Sequence, residues 1–323
     1  MTEKSKTKRN HVIWSREEYL RQKAASTEKM EIHLTNNYAF HRVFKCEKVV
    51  KGFLMALLNL GEEEIVQLEI SDPFVEGESQ EEKQGILDIK LHLNNGQKIN
   101  IEMQNRYQSD WSERSVFYNC RMFVEGFQHG KPYADLEPCV HVGILDFIQM
   151  SSPGFHHLVQ LADSKTGEIY SRKFSFHVIE LRKLKQKPEE ADEKELHHWA
   201  KMIAAKSWEE VFMEAKGNPY REAAVEEMDK IMKDEDARYL YLREEMAKSD
   251  EASRLMTAKE EGEKDGRLLN MIFIIMRQIK KKKTLEQIAD GLGESPEDIK
   301  EIYELVKNHP KKTDKEILAM MER

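Results

Sequence analysis

Two carboxylates, Asp88 and Glu102, lie within a stretch from Gly85 to Gln104 whose pattern aims them at one point. Leu87, Ile89, Leu91 and Leu93 alternate with Asp88, Lys90 and His92, the period-2 signature of a half-buried strand. Asn94-Asn95-Gly96 interrupts the run, and Ile99, Ile101 and Met103 resume it against Lys98, Asn100, Glu102 and Gln104. A three-residue hairpin loop with Gly96 left-handed pairs Leu93 with Gln97, Leu91 with Ile99, Ile89 with Ile101, Leu87 with Met103 and Asp88 with Glu102. A two-residue Asn-Gly turn would set apolar side chains opposite polar ones, so the hydrophobic pattern selects the first register.

Directly opposed side chains have Cβ atoms about 4.5–5.5 Å apart, and like charges there repel. A hard divalent cation such as Mg²⁺, with Mn²⁺ as a substitute, offsets that repulsion because it prefers carboxylate oxygens. The alternative is a solvated acidic pair neutralised by Lys90 and Lys98, in a chain that is 34% charged. In the metal-binding reading, Asp88 and Glu102 hold the ion, which polarises a phosphate and activates water. Gln104, on the same face as Glu102, orients water or phosphate. As an amide it neither titrates nor brings charge. Lys90 shares the face of Asp88, and Arg114 and Arg121 stand seven residues apart on the next helix, so all three are candidate phosphate contacts. The competing role for the arginines is surface pairing with Glu113 and Glu125.

Asp88, a gap of thirteen residues and then Glu102-Met103-Gln104 resembles the core motif of the PD-(D/E)XK nuclease superfamily. It is most similar to the branch of Rpn recombination-promoting nucleases and PD-(D/E)XK transposases, which carries Gln at the position of Gln104. Asn36-Asn37-Tyr38-Ala39-Phe40 with Phe44, Arg114-Ser115 with Tyr118, and Ile144-Leu145-Asp146-Phe147 are similar too. The resemblance runs from about Leu34 to Leu184. It implies DNA as the substrate and an αβββαβ core of restriction-endonuclease type. It departs at Asn37, where the family has Asp, and at His41 and Lys45, where Lys and Gly are commoner. Two functions therefore stand: a metal-dependent DNA endonuclease, or a catalytically silent DNA-binding or protein-interaction member that keeps the fold.

The elements needed to position this site can be read around it. Val49 to Leu60 has an apolar face at helical spacing, with Gly61 as a stop. Ile65 to Ile70 reads as a strand, Trp111 to Gly126 as a helix, and Cys139 to Phe147 and Phe174 to Leu181 as strands. The apolar side of the Trp111 helix is expected to be Val116, Phe117, Cys120, Phe123, Val124 and Phe127. Together these give an α/β domain with a mixed sheet. His141, in an apolar strand, reads as a satisfied strand residue. His156-His157 and His197-His198 lack partners at metal-binding spacing.

The chain of 323 residues divides into a charged lead-in (1–33), the nuclease-like domain (34–184) and a charged linker with a helical C-terminal region (185–323). Glu226 to Glu263 has the mixed charge of a long exposed helix, which could join two copies into a homo-oligomer. Thr284 to Val306 has the outline of helix, glycine turn and helix, but the second helix is acidic and suits packing better than phosphate contact. A net charge of −8 argues against non-specific coating of nucleic acid. Lys4 to Arg9 and Lys280 to Lys283 are local basic patches. Cys46, Cys120 and Cys139 are isolated, which points to buried thiols in a reducing cytoplasm rather than a zinc site or disulfides. Leu268 to Met276 is too short to cross a membrane, so no membrane association is expected.

Overall fold

In a computed structural model, residues 15–26, 29–65, 68–71, 74–75, 85–86, 89–93, 96–185 and 193–321 are described. The chain forms two compact units, Met1–Glu245 and Met246–Arg323. In the first unit α1 (Arg16–Ala25), α2 (Asn37–Phe44) and α3 (Glu47–Leu58) precede strands β1 (Leu68–Ser71), β2 (Phe74–Val75), β3 (Gly85–Ile86), β4 (Ile89–Leu93) and β5 (Lys98–Gln104). Then come α4 (Trp111–Val124), β6 (Cys139–Leu145), β7 (His156–Ala162) and β8 (Ile169–Glu180). Helices α5 (Lys194–Ala204), α6 (Trp208–Ala215) and α7 (Pro219–Lys233) follow.

The main sheet has the order β1-β4-β5-β6-β8-β7. β1, β4 and β5 form an antiparallel meander; β6 joins β5 in parallel through α4, and β8 is parallel to β6. From α3 through β6 this is the expected αβββαβ core within a mixed sheet. The hairpin register is also as expected: Ile89 faces Ile101 and Leu91 faces Ile99. Gly96 has φ +80° and donates its N–H to Leu93 O, while Leu93 N–H bonds Gln97 O. The pairings assigned to Leu87 and Asp88 lie outside the described residues, as do Asn94 and Asn95.

One face of the sheet is apolar. Ile89, Leu91, Ile99, Ile101, Met103, Val142 and Ile144 pack against Phe40, Phe44, Phe53 and Trp199. The chain beyond residue 185 contributes to this core as well. Trp199, Ile203, Trp208 and Met228 from α5 to α7 belong to this same core, and the compact unit continues to Glu245. Beyond about residue 185 the chain therefore completes the nuclease-like unit before any separate helical region begins. Residues 186–192, within the expected charged linker, lie outside the described part.

The other face lies under α4, and its buried side is not the one expected. Val116, Phe117 and Val124 are exposed, as is Cys120, while Trp111, Ser115, Asn119 and Met122 are buried. Asn119 explains the reversal. Its Nδ2 donates to Ser175 O at 3.1 Å, and its Oδ1 accepts from Cys139 Sγ at 2.9 Å, tying α4 to β8 and β6. Trp111 lies against Gly143, where a Cβ would stand 2.5 Å from the indole. Of the three thiols only Cys139 is buried, which corrects the expectation for Cys120 and for the half-buried Cys46.

The long exposed helix also starts later than expected. α7 ends at Asp234, whose Oδ1 accepts Ala237 N–H, and a new helix α8 (Glu235–Lys280) begins. In the second unit, α9 (Leu285–Leu292), α10 (Pro296–Asn308) and α11 (Asp314–Met321) follow. Gly293 is left-handed, and Ser295 Oγ caps α10 by accepting Asp298 N–H, as the helix, turn and helix outline requires. Ile272, Ile275, Ile288, Ile299 and Ile302 form the core of this unit. Among the described residues no helix is long and apolar enough to cross a membrane.

Candidate active site

The face of β5 under α4 carries Lys98, Asn100, Glu102 and Gln104, all polar and all buried except half-buried Gln104. Alternation puts them there, because the intervening Ile99, Ile101 and Met103 occupy the apolar face. Glu102 is only 1% exposed, so its carboxylate depends on the groups around it. Gln104 Nε2 donates to Glu102 Oε1 at 2.8 Å, and Arg114 Nε and Nη2 donate to the same oxygen at 3.2 and 3.0 Å. Arg114 lies at the end of the first turn of α4, and its guanidinium also spreads over the Tyr118 ring, 5.0 Å from the centroid. The surface pairing with Glu113 considered for Arg114 is thus replaced by a pairing with the motif glutamate.

His141, read from the sequence as a satisfied strand residue, is a further member of this face. β5 and β6 are parallel with Asn100 beside His141, so the imidazole joins the same polar face. Asn100 Nδ2 lies 3.1 Å from His141 Nδ1, and His141 Nε2 lies 3.8 Å from Glu102 Oε2. Burial, with the Arg114 charge adding to it, pulls the His141 pKa down to about 3. The ring is therefore neutral, and an amide donating to Nδ1 leaves the proton on Nε2, facing the carboxylate. The one signal in the sequence was a lone polar residue among Val140, Val142 and Gly143, which by itself points to a strand residue and not to a site.

The other candidates are placed as follows. Asp88 lies outside the described residues. Lys90 is 5% exposed and its ammonium donates to Glu125 Oε1 at 2.6 Å. Lys98 donates to Glu125 O at 2.6 Å and Met122 O at 3.4 Å. Both lysines thus serve the C-terminal end of α4, where free carbonyls and a negative dipole end favour cations. Arg121 is half-buried on the outer side of α4, 5.9 Å from the Phe117 centroid. Asn36 caps α2 by accepting Ala39 N–H, and its Nδ2 donates to Glu245 Oε1 at 2.7 Å. Asn37 is exposed, and its Oδ1 accepts from Asn105 Nδ2 at 3.4 Å, which brings the α2 start to the end of β5.

His156 and His177 stack with centroids 5.2 Å apart and lie within hydrogen-bond distance. His157 lies beside Glu180, which accepts the backbone N–H groups of Gln149 and Met150 and pairs with Lys183. These clusters clamp the sheet edge and the loop after β6. Among the described residues, no group of three or more His, Cys, Asp or Glu converges as a metal site.

A mixed sheet built as αβββαβ, with a buried glutamate near the end of β5, fits the core that the resemblance to PD-(D/E)XK nucleases implies. A model of the PD-(D/E)XK nuclease family transposases matches residues 34–258, well over half of the chain, and the protein belongs to that family. No curated protein and no solved structure shows significant similarity to it.

Proposed function

We propose that the protein is a metal-dependent DNA endonuclease of the recombination-promoting or transposase-like type. The observation that carries the reading is the buried Glu102 carboxylate at the end of β5, held by Gln104 and Arg114 inside a domain of this family. Asp88 and Glu102 would hold Mg²⁺, and the pairing of Ile89 with Ile101, one step away, supports their opposition. The donors available are hard oxygens, a carboxylate at Glu102 and an amide oxygen at Gln104, which suit Mg²⁺ or Mn²⁺ with waters completing the shell. When bound, the ion would supply Lewis acidity toward a phosphate oxygen and a more acidic water. Gln104 would orient that water.

Arg114 and Arg121 on α4 are the phosphate contacts in this reading. Lys90, engaged by Glu125, would act on phosphate only through its field. The reading extends to a cytoplasmic protein, in line with its free thiols, whose α8 joins copies through exposed Leu255 and Met256.

Asn37, exposed beside Asn105 where the family usually has Asp, favours the second reading, a catalytically silent member that binds DNA or a protein partner. Nicking of supercoiled plasmid with Mg²⁺, Mn²⁺ or EDTA decides between them. Metal-dependent nicking that Asp88→Ala and Glu102→Ala both lose is the expected result. Nicking by neither wild type nor variants, or equally by all, overturns the nuclease reading.

A further inference from the structure

The outer side of α4 carries the apolar residues that sequence periodicity assigned to the core, and beside them is a groove of about 820 Å³. Its walls are rings and guanidinium groups. Tyr107 is 66% exposed, yet its ring is braced edge-on by Phe147 with centroids 5.6 Å apart. Phe117 is 41% exposed and meets Tyr118 edge to face at 5.5 Å. Arg114 and Arg121 lie over Tyr118 and Phe117 respectively, each four residues along the helix.

Leaving large aromatic faces in water is unfavourable unless a flat partner covers them. The groove also holds Asp110 and Glu113, so two cations are set against two carboxylates. That balance leaves the groove itself without net positive charge. It suits a nucleobase, which offers a π-face to the rings and guanidinium planes and amino groups to the carboxylates. Arg114 lines this groove and bonds Glu102, so its contents lie one side chain away from the motif glutamate.

We propose that the groove binds one unpaired nucleobase of a DNA strand held at Glu102, so that the substrate class is DNA with a single-stranded or unstacked nucleotide beside the cleaved phosphate. This rests on the nuclease reading for its location, since the same strand would present base and phosphate to neighbouring sites. A paired base in a duplex has its faces covered by its neighbours and cannot enter.

The test is binding of the full chain, in EDTA so that no strand is cut, to a 2-aminopurine-containing single strand and to the same sequence as a duplex. Wild type is expected to prefer the single strand and to quench 2-aminopurine on binding. Tyr107→Ala and Phe117→Ala, both at exposed positions, should each weaken single-strand binding by roughly tenfold and reduce the quench, the usual size of one lost stack. Tyr107→Phe should keep both. Equal affinity for the two DNAs, or single-strand affinity and quench unchanged in Tyr107→Ala and Phe117→Ala, overturns the proposal. Plasmid nicking in Mg²⁺ is read separately. Ring-dependent single-strand binding without nicking would remove the nuclease reading and leave the base site standing, whereas nicking without ring dependence would do the reverse.

Discussion

Arg114 places two guanidinium nitrogens on one oxygen of Glu102, at 3.2 and 3.0 Å, across the gap between α4 and the end of β5. The glutamate is 1% exposed and the arginine side chain 34% exposed, so the pair links a buried charge to the surface. A cation arriving at Glu102 would meet a carboxylate already paired with a guanidinium.

This makes Arg114 a stability residue whose loss a metal can repair. Removing one partner of a buried pair strands the other charge, but partial exposure of Arg114 lowers the penalty to about 1–3 kcal/mol. Arg114→Ala is expected to melt below wild type in EDTA and to gain more than wild type on adding Mg²⁺. Thermal melts of both proteins with and without Mg²⁺ measure this, and equal gains would separate Arg114 from the metal site.

Asn37 gives a gain-of-function prediction. Its amide stands at the start of α2 against Asn105, next to Gln104 in the chain. Asn37→Asp restores the acid usual in the family and adds a hard donor near the end of β5. We expect Mg²⁺-dependent nicking to rise by about tenfold, equivalent to roughly 1.4 kcal/mol of added stabilisation. Unchanged nicking would mean that the position does not feel the metal.

Gly143 is required by packing. A methyl group there would meet Trp111 Cζ2 at 2.5 Å, and Trp111 anchors the start of α4 over the sheet. Gly143→Ala is expected to lose about 1–3 kcal/mol, the usual cost of overpacking. A lower urea midpoint at unchanged slope would show it, and an unshifted midpoint would mean that Trp111 moves aside without cost.

His177 sets a pH dependence. Burial, and then the neighbouring His156, lowers its pKa from 6.5 to about 3. The unfolded chain therefore takes up a proton below pH 6.5 that the folded chain refuses until about pH 3. Stability falls as pH drops through that window, by up to about 1.4 kcal/mol per pH unit from this group. Urea unfolding at pH 7, 6 and 5 should show a slope that flattens in His177→Phe. An identical slope in that variant would assign the acid sensitivity elsewhere.

How much of this could be read from the chain follows from which forces are local. Leu91 opposite Ile99 and Ile89 opposite Ile101 were legible because a strand has a period of two and a slip of one residue would turn every apolar side chain outward. Gly96 was legible because the turn demands a positive φ. Glu102 and Gln104 on one polar face followed from the same alternation. Strand β7 was missed because His156 to Ala162 sits at the sheet edge and is largely exposed, so its pattern is weak.

Tertiary structure alone decided which side of α4 is buried. Its apolar periodicity pointed to Val116, Phe117, Cys120 and Val124, yet the sheet offered a notch at Gly143 for Trp111 and hydrogen-bond partners at Ser175 and Cys139 for Asn119. Those complements come from strands distant in sequence, and a helix read by itself cannot know them. The same holds for Lys90 and Lys98, drawn to the C-terminal end of α4, and for His141, brought to Glu102 by the parallel pairing of β5 and β6. The sequence by itself determined strands β4 and β5, their register and the polar face that carries Glu102, because side-chain alternation is a local property. The surroundings that give Glu102 its partners, and leave Tyr107 and Phe117 in water, arise only where separate elements meet.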